Sequence, residues 1–151
     1  MTTINKIMVA VDFSDYSLAA AEYAAKLAKD LKSKLLFTHV YNKRDVDMIN
    51  MDATRIPEFS VKAYVDEQVE ERKAQLHDLA KKLIQVNLVA ETHVRVGVPY
   101  EALLHEIKEK GPDLLVMGAK GRSNVMDMIL GSCAQKMFRH SPIPLLSIRD
   151  H

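Results

Sequence analysis

The stretch that most narrows what this chain can fold into is "KIMVAVD", residues 6–12, a short apolar run in which polar and apolar residues do not alternate. A strand with one wet face alternates, whereas a strand covered on both faces does not, and strands of the second kind belong to parallel sheets flanked by helices. "KLLFTHV" is a second run of this type, "DLLVMG" reads as a fourth strand and "PIPLLSIR" as a fifth. "LVAETHVRV" alternates more, which marks it as a less buried third strand nearer a sheet edge.

Helical signals lie between these runs. "FSDYSLAAAEYAAKLAKDLKSK" has Ser14 as N-cap, Asp15 in the first turn, and Leu18, Ala21, Ala25 and Ala28 along one face. From Glu58 to about Val86, the residues Val65, Val69, Leu76, Leu79 and Leu83 recur at helical spacing, with Arg72 interrupting the stripe. "GVPYEALLHEIKEKG" carries both its boundaries, Pro99 in the first turn and Gly111 as a left-handed cap, with Pro112 preventing continuation. A short helix is predicted from about Gly131 to His140. The connection from Tyr41 to about Pro57 reads as a long loop, of the kind that is often functional.

Strands alternating with helices require crossovers, which favour a doubly wound five-stranded parallel sheet with helices on both faces. The 151 residues suit a single α/β domain spanning 1–151. If the strand order is 3-2-1-4-5, the ligand crevice lies beyond the carboxyl ends of strands one and four, where Asp12 and a glycine-rich stretch both emerge.

Composition removes several function classes. Net charge is +1, with 27% charged and 48% apolar residues, so binding to nucleic acid through phosphate neutralisation is not indicated. No apolar run approaches bilayer length and the start lacks a signal-peptide pattern, so a cytoplasmic protein without a membrane span is expected. One cysteine, Cys133, excludes an internal disulfide, and the six histidines never fall three to five residues apart, which argues against a zinc site.

The glycine-rich stretch is "VMGAKGRSNVMDMILGSC", in which Gly118, Gly121, Gly131 and Ser132 fit G-x2-G-x9-G-S. Glycines let backbone approach a phosphate, successive N–H groups form a concave nest, and a helix N-terminus adds donors and a favourable dipole. Ser132 supplies a hydroxyl to a phosphate or caps its own helix. Taken singly, the glycines are better read as turns; their combined spacing, between a buried strand and a helix start, reverses this and favours anion binding. A Walker loop would need Lys-Ser or Lys-Thr after the last glycine, and a dinucleotide motif would need closer glycines after the first strand. Asp12 has two readings, a hydrogen-bond partner for a sugar or amino group, or a cap for the helix that follows.

The pattern resembles that of the universal stress protein family, in its nucleotide-binding subclass. The resemblance extends to "KIMVAVDFSDYSLAAAEYAAKLA", "LLFTHV" and "DLLVMGAKGRSNVMDMILGSCAQKMFRHSPIPLLSIR", nearly all of the chain outside 41–57. It implies an adenine nucleotide alpha hydrolase-like fold and a cytoplasmic, ATP-binding regulatory module in stress response. By position, Asp12 matches the acidic residue beside the adenosine, Val40 the residue whose backbone recognises adenine, and Ala10 part of the base pocket. Met117 and Gly118 would border the ribose, while Gly121, Gly131, Ser132 and the Cys133 backbone would hold phosphates of ATP, or of ADP or AMP, with or without magnesium. Lys120 and Arg122 are further phosphate contacts to consider. Asn124 departs from the family, where another glycine is frequent.

The resemblance also implies a homodimer through the last strand, acting on a client protein that the sequence does not name. Two other readings stand beside it: slow ATP hydrolysis or nucleotide transfer, for which Asp12 and Asp127 are the nearby carboxylates, and a structural dimer without nucleotide. Cys133 near a helix N-terminus reads as a packing residue rather than a redox thiol. His39, inside a buried strand, reads as a core residue rather than a catalyst.

Overall fold

The computed structural model describes residues 3–52, 58–84, 88–120 and 131–149. Strands β1 (Lys6–Ala10), β2 (Lys34–Asn42), β3 (Ala90–Gly97), β4 (Leu114–Gly118) and β5 (Leu145–Ile148) form one sheet in the order β3-β2-β1-β4-β5. Every neighbouring pair is parallel.

Register explains the absence of polar alternation. Met8 stands beside Leu36 on one side and Leu115 on the other, and all three side chains are fully buried on the same face. One step along each strand turns the side chain to the opposite face, where Ile7, Val9, Leu35, Phe37 and Val116 are equally buried. The first face packs under α4 (Pro99–Lys110) and α5 (Ser132–His140), through Leu103, Ile107, Ala134 and Met137. The second packs under α1 (Asp15–Leu31) and α3 (Glu58–Leu83), through Ala20, Ala21, Ala24, Ala28, Leu76 and Ala80. Burying one large apolar side chain contributes about 1.5–3 kcal/mol before conformational entropy is counted.

The helix boundaries follow local chemistry. Ser14 caps α1, its Oγ accepting from the Ser17 N–H at 3.2 Å. Pro99 opens α4, and Gly111 closes it at φ 63°. Lys32 closes α1 in the same left-handed conformation, at φ 57°, without a glycine to announce it.

Two expectations are corrected. The buried face of α1 is Ser17, Ala20, Ala21, Ala24, Ala25 and Ala28, so the alanines bring the helix close to the sheet as expected, while Leu18 is only half-buried. The predicted loop from Tyr41 to Pro57 is largely regular structure. Tyr41 and Asn42 complete β2, and Lys43–Asp52 form a helix, α2. Asn42 Oδ1 accepts the Arg44 N–H at 3.0 Å and Asp45 lies in the first turn, a start signal of the usual kind.

Candidate functional site

From β1 the chain crosses through α1 to β2 on one side, and from β4 through α5 to β5 on the other. The carboxyl ends of β1 and β4 therefore border a crevice, the position at which open α/β sheets hold ligands. A cavity of about 240 Å³ opens there.

Nine of the residues singled out from sequence share it: Ala10, Asp12, Val40, Met117, Gly118, Lys120, Gly131, Ser132 and Cys133. Gly121 and Arg122 lie outside the described residues, as do Asn124 and Asp127.

Asp12 holds the turn that leads into α1. Its Oδ1 accepts the Ser14 N–H at 2.9 Å, and its own N–H donates to Ser17 Oγ at 3.2 Å. The carboxylate thus stabilises the turn into α1 while standing at the cavity wall. The turn itself puts Phe13 at φ 65°, a left-handed conformation rarely adopted by a large side chain. The Phe13 ring packs against His39 with centroids 4.9 Å apart, and His39 Nδ1 donates to the Val11 carbonyl at 2.7 Å. His39 is 4% exposed, the core residue expected, although it also borders the cavity.

The start of α5 supplies the other wall. Gly131 is its N-cap and, being a glycine, makes no side-chain cap bond to the helix end. The Gly131 N–H donates to the Ala119 carbonyl at 2.8 Å, and the Ala119 N–H to the Ile148 carbonyl at 2.8 Å, so the end of β4 and the start of α5 are fixed against each other and against β5. An uncapped helix N-terminus facing a cavity, with Lys120 on the same lining, is suited to an anion. Lys120 Nζ lies 5.9 Å from the Tyr16 ring centre. Ser132 begins the helix and does not cap it.

Gly118 has a structural reason of its own. A Cβ there would lie 2.7 Å from Tyr16 Cβ and 2.8 Å from the Tyr16 carbonyl carbon, so the absent side chain lets β4 pass against the first turn of α1. Cys133 behaves as a packed thiol: burial pushes it up to about 11, the Asp12 carboxylate adds to the rise, and Lys136 opposes it.

Several lining residues were not found from sequence. Thr38, Tyr41, Asn42, Arg44, Asp45, Arg72, Pro99 and Leu103 also face the cavity. The helical signals around Asn42 and Asp45 were available, but reading 41–57 as a loop hid them. Arg72 was visible only as a break in the α3 stripe; it lies with its guanidinium carbon 6.0 Å from the Tyr41 ring centre. Burial raises the Tyr41 phenol, as do Tyr64 and Asp45, while Arg72 pulls the other way.

Beneath Thr38 lies a buried charge cluster that sequence reading missed altogether. Glu106 of α4 is fully buried. It accepts from Thr38 Oγ1 at 2.9 Å, His93 Nδ1 at 2.7 Å and Arg95 Nε at 2.9 Å, and Arg95 also pairs with Glu109. Burial alone would raise the Glu106 carboxyl; the hydrogen bonds from His93, Arg95 and Thr38 outweigh it and hold the group below the usual carboxylate range. No isolated charge would survive there, and this one is satisfied on both oxygens.

Among the described residues no group of three or more His, Cys, Asp or Glu side chains is arranged to hold a metal, and no helix is long and apolar enough to cross a membrane.

A five-stranded, all-parallel sheet in the order β3-β2-β1-β4-β5, with helices on both faces, defines the class: a doubly wound α/β domain. The chain belongs to the universal stress protein family, whose model matches residues 3–149. It is 32% identical to the universal stress protein YxiE of Bacillus subtilis over 96% of this chain and 99% of that one. In structure it is similar to MJ0577 of Methanocaldococcus jannaschii, with a TM-score of 0.82, 23% identity and 99% of each chain covered. A universal stress protein solved in complex with cAMP matches with a TM-score of 0.65 at 24% identity, over 98% of both chains.

Proposed function

We propose that this chain is an adenine-nucleotide-binding regulatory module whose ligand occupies the cavity at the β1/β4 switch point. The observation that carries the proposal is the division of that one cavity. The uncapped start of α5, with Gly131, Ser132, Cys133 and Lys120, offers anion donors at one end. Val40 and Leu103 offer apolar surface and strand-end backbone for a base in this proposal, with Asp12, Met117 and Gly118 beside the sugar. The relative solved with cAMP supports adenine as the base. The chemistry of the lining suits a nucleotide: backbone donors and a cation for phosphates, and apolar side chains for a ring.

ATP is the proposed ligand, with ADP and AMP as alternatives, and any magnesium arrives with the phosphates. Gly121 and Arg122 complete the phosphate end in this proposal. Binding rather than turnover is the leading reading, because Asp12 Oδ1 is already engaged by the Ser14 N–H and Cys133 is a protonated, packed thiol. The module works in the cytoplasm as a homodimer through β5. That strand stands at the sheet edge, and its half-buried Leu145, Leu146 and Ile148 invite a partner. Nucleotide occupancy then governs contact with a client protein.

Mass spectrometry of small molecules released from freshly purified protein tests the proposal. An adenine nucleotide in the released fraction supports it; a different ligand class, bound in its place, rejects it.

A further inference from the structure

Arg72 occupies a position where an aliphatic residue would continue the α3 stripe between Val69 and Leu76. A cation on a packing stripe needs a reason, since the neighbouring Leu76 is fully buried and Val69 packs against the same core. The reason is that the stripe runs over the β2 end of the cavity. Arg72 lines that end, its guanidinium carbon 6.0 Å from the Tyr41 ring centre, while Nη1 donates to Gln75 Oε1 at 3.4 Å. Tyr41 is 6% exposed, so the ring beneath the guanidinium is fixed.

The sheet order separates the two ends of the cavity. Lys120 and the start of α5 lie on the β4 side of β1, whereas Tyr41 and Arg72 lie on the β2 side. Anion donors are thus concentrated away from Arg72. Arg44 and Asp45 line the same cavity, and the Asp45 carboxylate near Tyr41 offsets part of the positive charge at this end. A planar cation braced on an aromatic ring, away from the start of α5, suits the π face of a flat heteroaromatic ring.

We infer that Arg72 is a base-positioning residue, its guanidinium closing the β2 end of the cavity against the purine ring of the bound nucleotide. This inference rests on the nucleotide reading above and adds a residue, on α3, to the binding surface. It also makes α3 an element that contacts ligand, so that nucleotide occupancy is felt by this helix.

Calorimetry with three probes separates the base from the phosphates: ATP, adenosine, and inorganic tripolyphosphate. Arg72→Ala is expected to weaken ATP and adenosine by a similar factor, about ten-fold, and to leave tripolyphosphate unchanged. Arg72→Lys keeps the charge but loses the planar face, and is expected to remain at least about three-fold weaker than the parent for adenosine. Thermal unfolding of each variant near the parental midpoint shows that the fold is intact; if Arg72→Ala unfolds, Arg72→Gln carries the same comparison. Loss of tripolyphosphate binding with adenosine unaffected makes Arg72 a phosphate contact and overturns the inference, as does no change with any probe. A parent that binds neither ATP nor adenosine overturns the nucleotide reading itself, and this inference falls with it.

Discussion

Gly118 and Tyr16 approach so closely that a Cβ on the glycine would lie 2.7 Å from the tyrosine Cβ. The contact joins the last residue of β4 to the first turn of α1, the two elements that flank the candidate site. Backbone atoms of Tyr16 lie within 3.0 Å of the same point, so rotation of a side chain does not relieve the clash. Gly118→Ala is therefore expected to destabilise the fold by about 1–3 kcal/mol, the usual range for overpacking. Urea denaturation measures it, and an unchanged midpoint would show that β4 and α1 yield more easily than their packing indicates.

Glu106 gives a second test. Removing a buried carboxylate that accepts from Thr38, His93 and Arg95 strips the buried Thr38 hydroxyl of its partner and leaves Arg95 with Glu109 alone, so Glu106→Ala should cost about 1–3 kcal/mol. The pH dependence has a definite sign. Because the folded carboxyl is held below its ordinary range, its contribution is full above the unfolded value and is lost as pH falls through the folded one. The stability gap between the parent and Glu106→Gln should accordingly narrow as pH falls below the ordinary glutamate value of about 4.3. A gap that widens on acidification contradicts the assignment.

Cys133 provides a chemical readout. With the thiol pushed up to about 11 by burial, little thiolate exists at pH 8. Alkylation by iodoacetamide should run roughly a hundred-fold slower than for an exposed cysteine of ordinary pKa near 8.5. Labelling at the ordinary rate would mean that the α5 N-terminus governs this thiol and that its role is not packing.

How much of this was legible beforehand depended on how local each signal is. KIMVAVD and KLLFTHV showed both-face burial directly, because in a parallel sheet each residue of the strand reports its own environment. Ser14, Pro99 and Gly111 marked helix ends because capping is settled within a few residues. Lys32 gave no sign, since its left-handed φ is imposed by the turn into β2 rather than by its own side chain. The helix at Lys43–Asp52 was obscured by weak apolar periodicity, although Asn42 was in place to cap it.

The candidate site divides in the same way. Asp12 and Gly131 lie at strand and helix ends that periodicity could locate, and the switch-point rule then joined them. Arg72 and Glu106 are different. Their partners lie 31 and 68 residues away in sequence, at Tyr41 and Thr38, so only the packed sheet brings them together. Gly118 was expected to border a ligand; it lines the cavity and also makes room for a helix, a role its sequence did not announce.

The proposed dimer has its own check. Light scattering coupled to size-exclusion chromatography should give the mass of two chains at micromolar concentration, given the apolar residues of β5 at the sheet edge. A sharp monomer peak over that range contradicts the proposed β5 interface.

The central claim, that the β1/β4 cavity holds an adenine nucleotide, is tested most directly by titrating ATP into the purified protein in a calorimeter. The account predicts saturable binding at one site per chain with a Kd below about 100 μM, equivalent to roughly 5.5 kcal/mol or more. Absence of binding up to millimolar ATP, in protein shown to be folded and free of retained ligand, would contradict it.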